Sequence, residues 1–225
     1  MQRRPLILLP ALLPLAAANP ARALSLTESD AAGGVREALR RGAEAAVASL
    51  GRTDGFLGNA KVRIPLPGYL EDAAKLMRTF GQGKRVDALV TAMNRAAESA
   101  VPQARTLLVN TVKSISVEDA LKIVRGGDTS VTDFFQRKTR APLGEQFLPI
   151  VTDATAKVDL AAKYNKVAGK AQGIGLVKPE DATIEQYVTR KALDGLYWTI
   201  GEEEKKIRAD PVGTGSALLK KVFGL

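Results

Sequence analysis

The chain has no cysteine and no histidine among its 225 residues. The first absence excludes a disulfide framework, a thiolate nucleophile and an iron–sulfur site. The second excludes a Ser-His-Asp triad, a zincin helix, a Glu-x-x-His di-iron pair and a haem-ligating histidine. Aromatic residues make up 5%, so the basic surface interleaved with stacking rings that nucleic acid requires is missing, and no nucleic-acid partner is expected. Glycine (20) and proline (11) are too few for a low-complexity chain, and 45% hydrophobic with 25% charged residues is a globular balance. Carboxylate chemistry, Ser-Lys chemistry, oxygen-ligated metals and binding without catalysis remain open. No cofactor is expected.

Arg3 and Arg4 precede an apolar run from Leu6 to Ala18, and Ala21-Arg22-Ala23 follows with small residues where a signal peptidase reads. This pattern predicts a signal peptide over 1–23, cleaved after Ala23, and a periplasmic location. The run is too short to span a bilayer as a helix. Cleavage removes Arg3, Arg4 and Arg22, which lowers the formal charge from +9 to +6. No later stretch is apolar enough for a transmembrane segment. The positive charge is spread in small runs, at Lys84-Arg85, Arg137-Lys138-Arg140, Lys205-Lys206 and Lys220-Lys221. That distribution fits solubility, and also a weak association with an anionic lipid surface.

The rest of the chain carries helical periodicity punctuated by Gly and Pro. Helices are expected from Thr27 to Leu50, with Ser25 or Thr27 as N-cap, from Gly68 to Gly81, from Lys84 to Val101, and from Pro102 to Ile115. Shorter ones are expected from Ser116 to Gly126 and through Phe134-Phe135. Another starts at Pro142, and Pro149 should kink or end it. Further helices are expected over 157–171, from the Thr183-Ile184-Glu185-Gln186 capping box to Asp210, and over 216–223. Between Gly51 and Pro67 the pattern breaks. Asp54-Gly55 reads as a turn, and Val62, Ile64 and Leu66 alternate with Arg63, Pro65 and Pro67 as an extended piece. The expected fold is all-α: one compact domain over 24–225 of about eight to ten helices, with a long central C-terminal helix and no substantial sheet. The break at Gly173 to Pro179 leaves room for a C-terminal subdomain.

The pieces Leu50-Gly51, Asp54-Gly55-Phe56-Leu57-Gly58, Arg63-Ile64-Pro65-Leu66-Pro67 and Met93-Asn94-Arg95-Ala96-Ala97-Glu98 are distinctive together. So are Glu118-Asp119-Ala120, Gly126-Gly127-Asp128, Tyr187-Val188-Thr189, Leu193-Asp194-Gly195-Leu196, Glu202 to Arg208 and Leu218 to Phe223. From Gly34 to Leu225 the chain resembles the exported bacterial domain-of-unknown-function family 4197. The resemblance implies an exported helical protein and supplies no activity. The chain lacks the lipoprotein cysteine of some relatives, so membrane tethering is not implied.

Glu203 stands out because it shares a helical face with Leu196, Ile200 and Ile207. A carboxylate there must be paired or neutral, and Arg95 and Arg105 are candidate partners. Glu202 with Lys206, and Glu204 with Arg208, read as solvated i,i+4 pairs, as does Arg190 with Asp194. Three roles are open for Glu203: a buried tie between helices, a carboxylate lining a ligand cleft, or a general acid in a glycan-cleaving enzyme. The last lacks a second carboxylate at a productive spacing. Asn94, Arg95, Glu98, Glu203 and Arg208 are expected to form a polar core or pocket. Gly81, Gly83, Lys84 and Arg85 form a candidate anion-binding turn, although a plain helix-to-helix turn explains them as well. Trp198 and Tyr197 read as core. No catalytic residue and no metal ligand is assigned. The leading functional reading is a non-catalytic envelope protein that binds an envelope protein or an apolar or anionic ligand. An enzyme using Glu203, or a structural assembly subunit, are the alternatives.

Overall fold

The computed structural model describes residues 28–175 and 177–210. The expected signal peptide, the Ser25 and Thr27 caps and the helix over 216–223 lie outside the described residues. Eight α-helices follow in order: α1 (Glu28–Leu50), α2 (Glu71–Thr79), α3 (Gly83–Ala100), α4 (Ala104–Lys113), α5 (Val117–Arg125), α6 (Ser130–Thr155), α7 (Asp159–Gly173) and α8 (Ile184–Ala209). Short 3-10 turns occupy Gly68–Leu70, Val101–Gln103 and Pro179–Asp181. No strand occurs among the described residues, and none of their helices is long and apolar enough to cross a membrane.

The helices start where their caps say. Ser116 Oγ accepts from the Asp119 amide at 3.0 Å, and Thr183 Oγ1 accepts from the Gln186 amide at 3.2 Å. The helix expected to start at Pro142 does not, and Pro149 does not end one. The 26 residues of α6 form one helix that includes both Pro142 and Pro149. Each proline orphans the carbonyl four residues earlier, at Lys138 and at Glu145, and both are exposed positions where water can serve. Buried Phe135, Leu143, Phe147 and Val151 hold the opposite face in the core. Two expected helices thus merge into one, which brings the count to the low end.

α8 is the central element. It packs on α6 along one side and on α1 and α3 along others, so its buried residues ring most of its circumference, from Ile184 to Ile207. One hydrophobic core includes residues of every helix from α1 to α8 except α2, and the break near Gly175 separates no subdomain. Tyr197 is fully buried and its hydroxyl meets Thr139 Oγ1 at 2.9 Å. Trp198 is the correction: it is 41% exposed. It lies on the narrow outer stripe of α8 with Lys191, Asp194 and Lys205, none of them buried, where neither flanking helix reaches.

The irregular 51–67 segment lies against α3 and α8. Val62 and Ile64 point inward and Arg63 and Pro65 outward, as the alternation requires. Phe56 packs so close to α8 that a Cβ at Gly195 would sit 2.7 Å from its ring. Asp54 adopts a left-handed φ of 65° at the preceding turn. α2 is the opposite case. It buries a single side chain, Ala74, and packs mainly on α3.

Candidate functional site

The expected polar pocket is in fact two separate ties. The first is on α3. Asn94 is fully buried and treats Ile64 as a strand neighbour would: its Oδ1 accepts from the Ile64 amide at 2.8 Å, and its Nδ2 donates to the Ile64 carbonyl at 2.9 Å and the Val90 carbonyl at 2.8 Å. One turn on, Glu98 Oε1 accepts from the amides of Phe56 and Leu57 at 3.0 and 3.1 Å. Arg95 donates to Glu98 at 2.6 Å and to Asp54 at 2.8 Å. These three side chains supply the hydrogen bonds that a segment without secondary structure cannot make for itself.

The second tie is at the far end of α8, and here the expected residue is displaced by one. Glu204 is the buried carboxylate, 4% exposed. It accepts from the amides of Val131 at 3.2 Å and Thr132 at 3.3 Å, and from Arg208 at 2.9 Å. It therefore caps the first turn of α6, whose own N-cap residue, Thr129, makes no side-chain cap. Arg208 also donates to Ser130 Oγ and to the Ile123 carbonyl. Glu203 pairs instead with Lys206 at 2.6 Å, with its side chain 22% exposed, on the flank of α8 that faces Gly42 of α1. Arg105, its other expected partner, reaches Glu44. A helix packed on two faces has no single apolar stripe, so the phase of Leu196, Ile200 and Ile207 does not distinguish 203 from 204. The donors at the start of α6 decide it. The Glu204–Arg208 pair forms as expected, but buried, and Glu202 selects Lys205 over Lys206.

Gly81-Gln82-Gly83-Lys84-Arg85 is the α2–α3 turn. Gly81 takes φ 72°, and the Gln82 amide returns to the Met77 carbonyl at 2.7 Å, a Schellman closure. Lys84 and Arg85 are exposed on the first turn of α3. Arg85 reaches across to Asp159 of α7, which also holds Lys163 at 3.3 Å.

That reach marks the feature the sequence did not disclose. An almost wholly apolar groove of about 270 Å³ runs between α2 and α7. Val86 and Leu89 of α3 form its floor, Ala73 and Met77 one wall, and Leu160, Tyr164 and Val167 the other. Arg85 and Lys163 are the cations in its lining. At a second crossing point Tyr69 donates to Tyr164 Oη at 2.7 Å, and Tyr164 donates to the Asp181 carbonyl at 3.1 Å. The signal available was weak: Leu76, Phe80, Val167 and Ile174 are apolar positions that the helical stripes do not need, and all four are more than half exposed.

Burial pushes every tyrosine hydroxyl above its ordinary value of 10: Tyr187 to about 12, and Tyr69, Tyr164 and Tyr197 upward as well. The fold thus disfavours phenolate. The unfolded chain ionises its tyrosines from about pH 10, while folded Tyr187 keeps its proton until about 12, so its contribution to stability is lost as pH rises across that window. A spectrophotometric titration at about pH 11 should show less phenolate in the native protein than in denaturant. A native titration centred at 10 with the fold intact would contradict this burial.

No curated protein and no solved structure matches the chain. Residues 25–224 match the model of the family described as Protein of unknown function (DUF4197), and the chain belongs to that family.

Proposed function

We propose that the protein is a non-catalytic binder of the cell envelope whose α2–α3–α7 groove takes a ligand with an apolar body and an anionic end. The groove itself carries this reading: an apolar trough with cations at its rim and no buried carboxylate in its lining. An acyl chain lies along Val86 and Leu89, and its charged end meets Arg85 and Lys163. Asp159 already neutralises part of that charge, so the headgroup competes with an existing ion pair and binding is reversible. The expected leader over 1–23 supports an exported, periplasmic protein. Glu203, the residue an enzymatic reading needs, is paired with Lys206 and is not among the groove's lining residues.

Dodecanoate should displace a fluorescent apolar dye from the protein, and dodecanol should do so more weakly. Arg85→Gln should raise the dodecanoate Kd about ten-fold, the scale of one charge-assisted hydrogen bond, and should leave dodecanol unchanged. Equal affinity for acid and alcohol would remove the anionic half of the proposal. No displacement by either would remove the whole.

A further inference from the structure

The lips of the groove have a composition of their own. Leu76 precedes the lining residue Met77 on α2 and is 63% exposed; Phe80 closes α2 and is 74% exposed. On the other side Val167 of α7, itself a lining residue, is 53% exposed, and Ile174, which follows the last residue of α7, is 73% exposed. Four large apolar side chains on the two walls of the groove, or next to them along the chain, face water. Single exposed apolar residues need no explanation, whereas a set gathered around one opening does.

The charge on the same two stretches has one sign. Residues 73–86 contain Lys75, Arg78, Lys84 and Arg85 and no acid; residues 160–174 contain Lys163, Lys166 and Lys170 and no acid. Four of these seven are paired to Asp72, Asp87 or Asp159 at the margins. Lys84, Lys166 and Lys170 make no ion pair among the described residues and are exposed.

We infer that this face docks on an anionic phospholipid bilayer, with Leu76, Phe80, Val167 and Ile174 entering the headgroup layer and the lysines resting on the phosphates. Apolar anchors ringed by cations are the pattern of interfacial membrane binding. Charge complementarity selects this occupant over the others. A second copy presenting the same face would set cations against cations. Residues 1–27 carry Arg3, Arg4 and Arg22, and residues 211–225 carry Lys220 and Lys221, with no acid in either, so neither stretch complements the lips. The inference rests on the groove being a ligand site and names the source of its ligand. With the lips in the headgroup layer, an acyl chain passes from lipid to groove without crossing water.

The test is co-sedimentation of the full chain with vesicles of phosphatidylcholine alone and with about 30% phosphatidylglycerol. Binding to the anionic vesicles alone is expected, weakening with salt. Lys166→Glu and Lys170→Glu should each reduce it about five-fold, and Leu76→Ser with Phe80→Ser should reduce it further. These positions are exposed, so circular dichroism and dodecanoate binding should be unchanged. Absent or composition-independent vesicle binding, or variants that bind like the parent, would overturn the docking face. A concentration-dependent dimer abolished by Phe80→Ser would overturn it in favour of a second copy. Dodecanoate uptake without vesicle binding refutes docking alone. Vesicle binding without uptake refutes the ligand site alone and leaves a peripheral membrane protein.

Discussion

Glu204→Ala should lower the unfolding free energy by about 3–5 kcal/mol, read as a large fall in the denaturant midpoint at constant slope. Two losses add. Arg208 keeps its charge with its side chain only 18% exposed and loses its carboxylate partner. The Val131 and Thr132 amides at the start of α6 lose their acceptor. Glu203→Ala, one residue away, should change stability by less than about 0.5 kcal/mol, because its pair with Lys206 is exposed. A double change of Glu204→Leu with Arg208→Met should recover part of the loss by removing the part-buried guanidinium, and only part, because the α6 amides stay unsatisfied. Equal effects at 203 and 204 would show that the carboxylate at the α6 terminus is not the one assigned.

Asn94→Ala should cost about 2–4 kcal/mol. The amide side chain makes three hydrogen bonds in a site with no exposure, and two of them go to the backbone of Ile64. Alanine leaves that amide and carbonyl buried and unpaired. The damage should be local first: proteolysis between Arg52 and Arg63 should accelerate before global unfolding. Asn94→Asp keeps the acceptor, loses both donated bonds and adds a buried charge, so it should be no better than alanine. A protease-resistant Asn94→Ala protein would mean that Phe56 and Val62 hold the segment by packing alone.

These two residues show how far the sequence could be read. The all-α architecture, the caps at Ser116 and Thr183, and the inward Val62 and Ile64 follow from periodicity and turn chemistry, which are local. Asn94 and Glu98 were visible as polar residues on an apolar face. Their partners were not, because the bonds go to backbone amides 30 and 42 residues away. Glu204 was misplaced by one position because helical phase is informative only when a helix has one buried side. Trp198 was misread for the same reason: on a two-faced helix the remaining solvent stripe is narrow, and hydrophobicity alone does not locate it. Pro142 reads as a helix start, and Pro149 as a kink or an end, because the rule assumes that an orphaned carbonyl has nowhere to go. The groove was hidden by its own composition, since apolar residues lining a cavity and apolar residues filling a core give the same pattern.

α2 anchors itself by one alanine, while the floor of the groove belongs to α3, whose buried residues run from Val86 to Ala100. The α2 wall of the trough is therefore more compliant than its floor. The α2 side is pinned at its ends, by the Tyr69–Tyr164 hydroxyl contact and the Arg78–Asp87 pair, and is held by little between them. Few buried contacts mean a low local opening free energy. The trough is a rigid floor with one sprung wall. For the proposed ligand, the girth of the chain is then expected to matter more than its length.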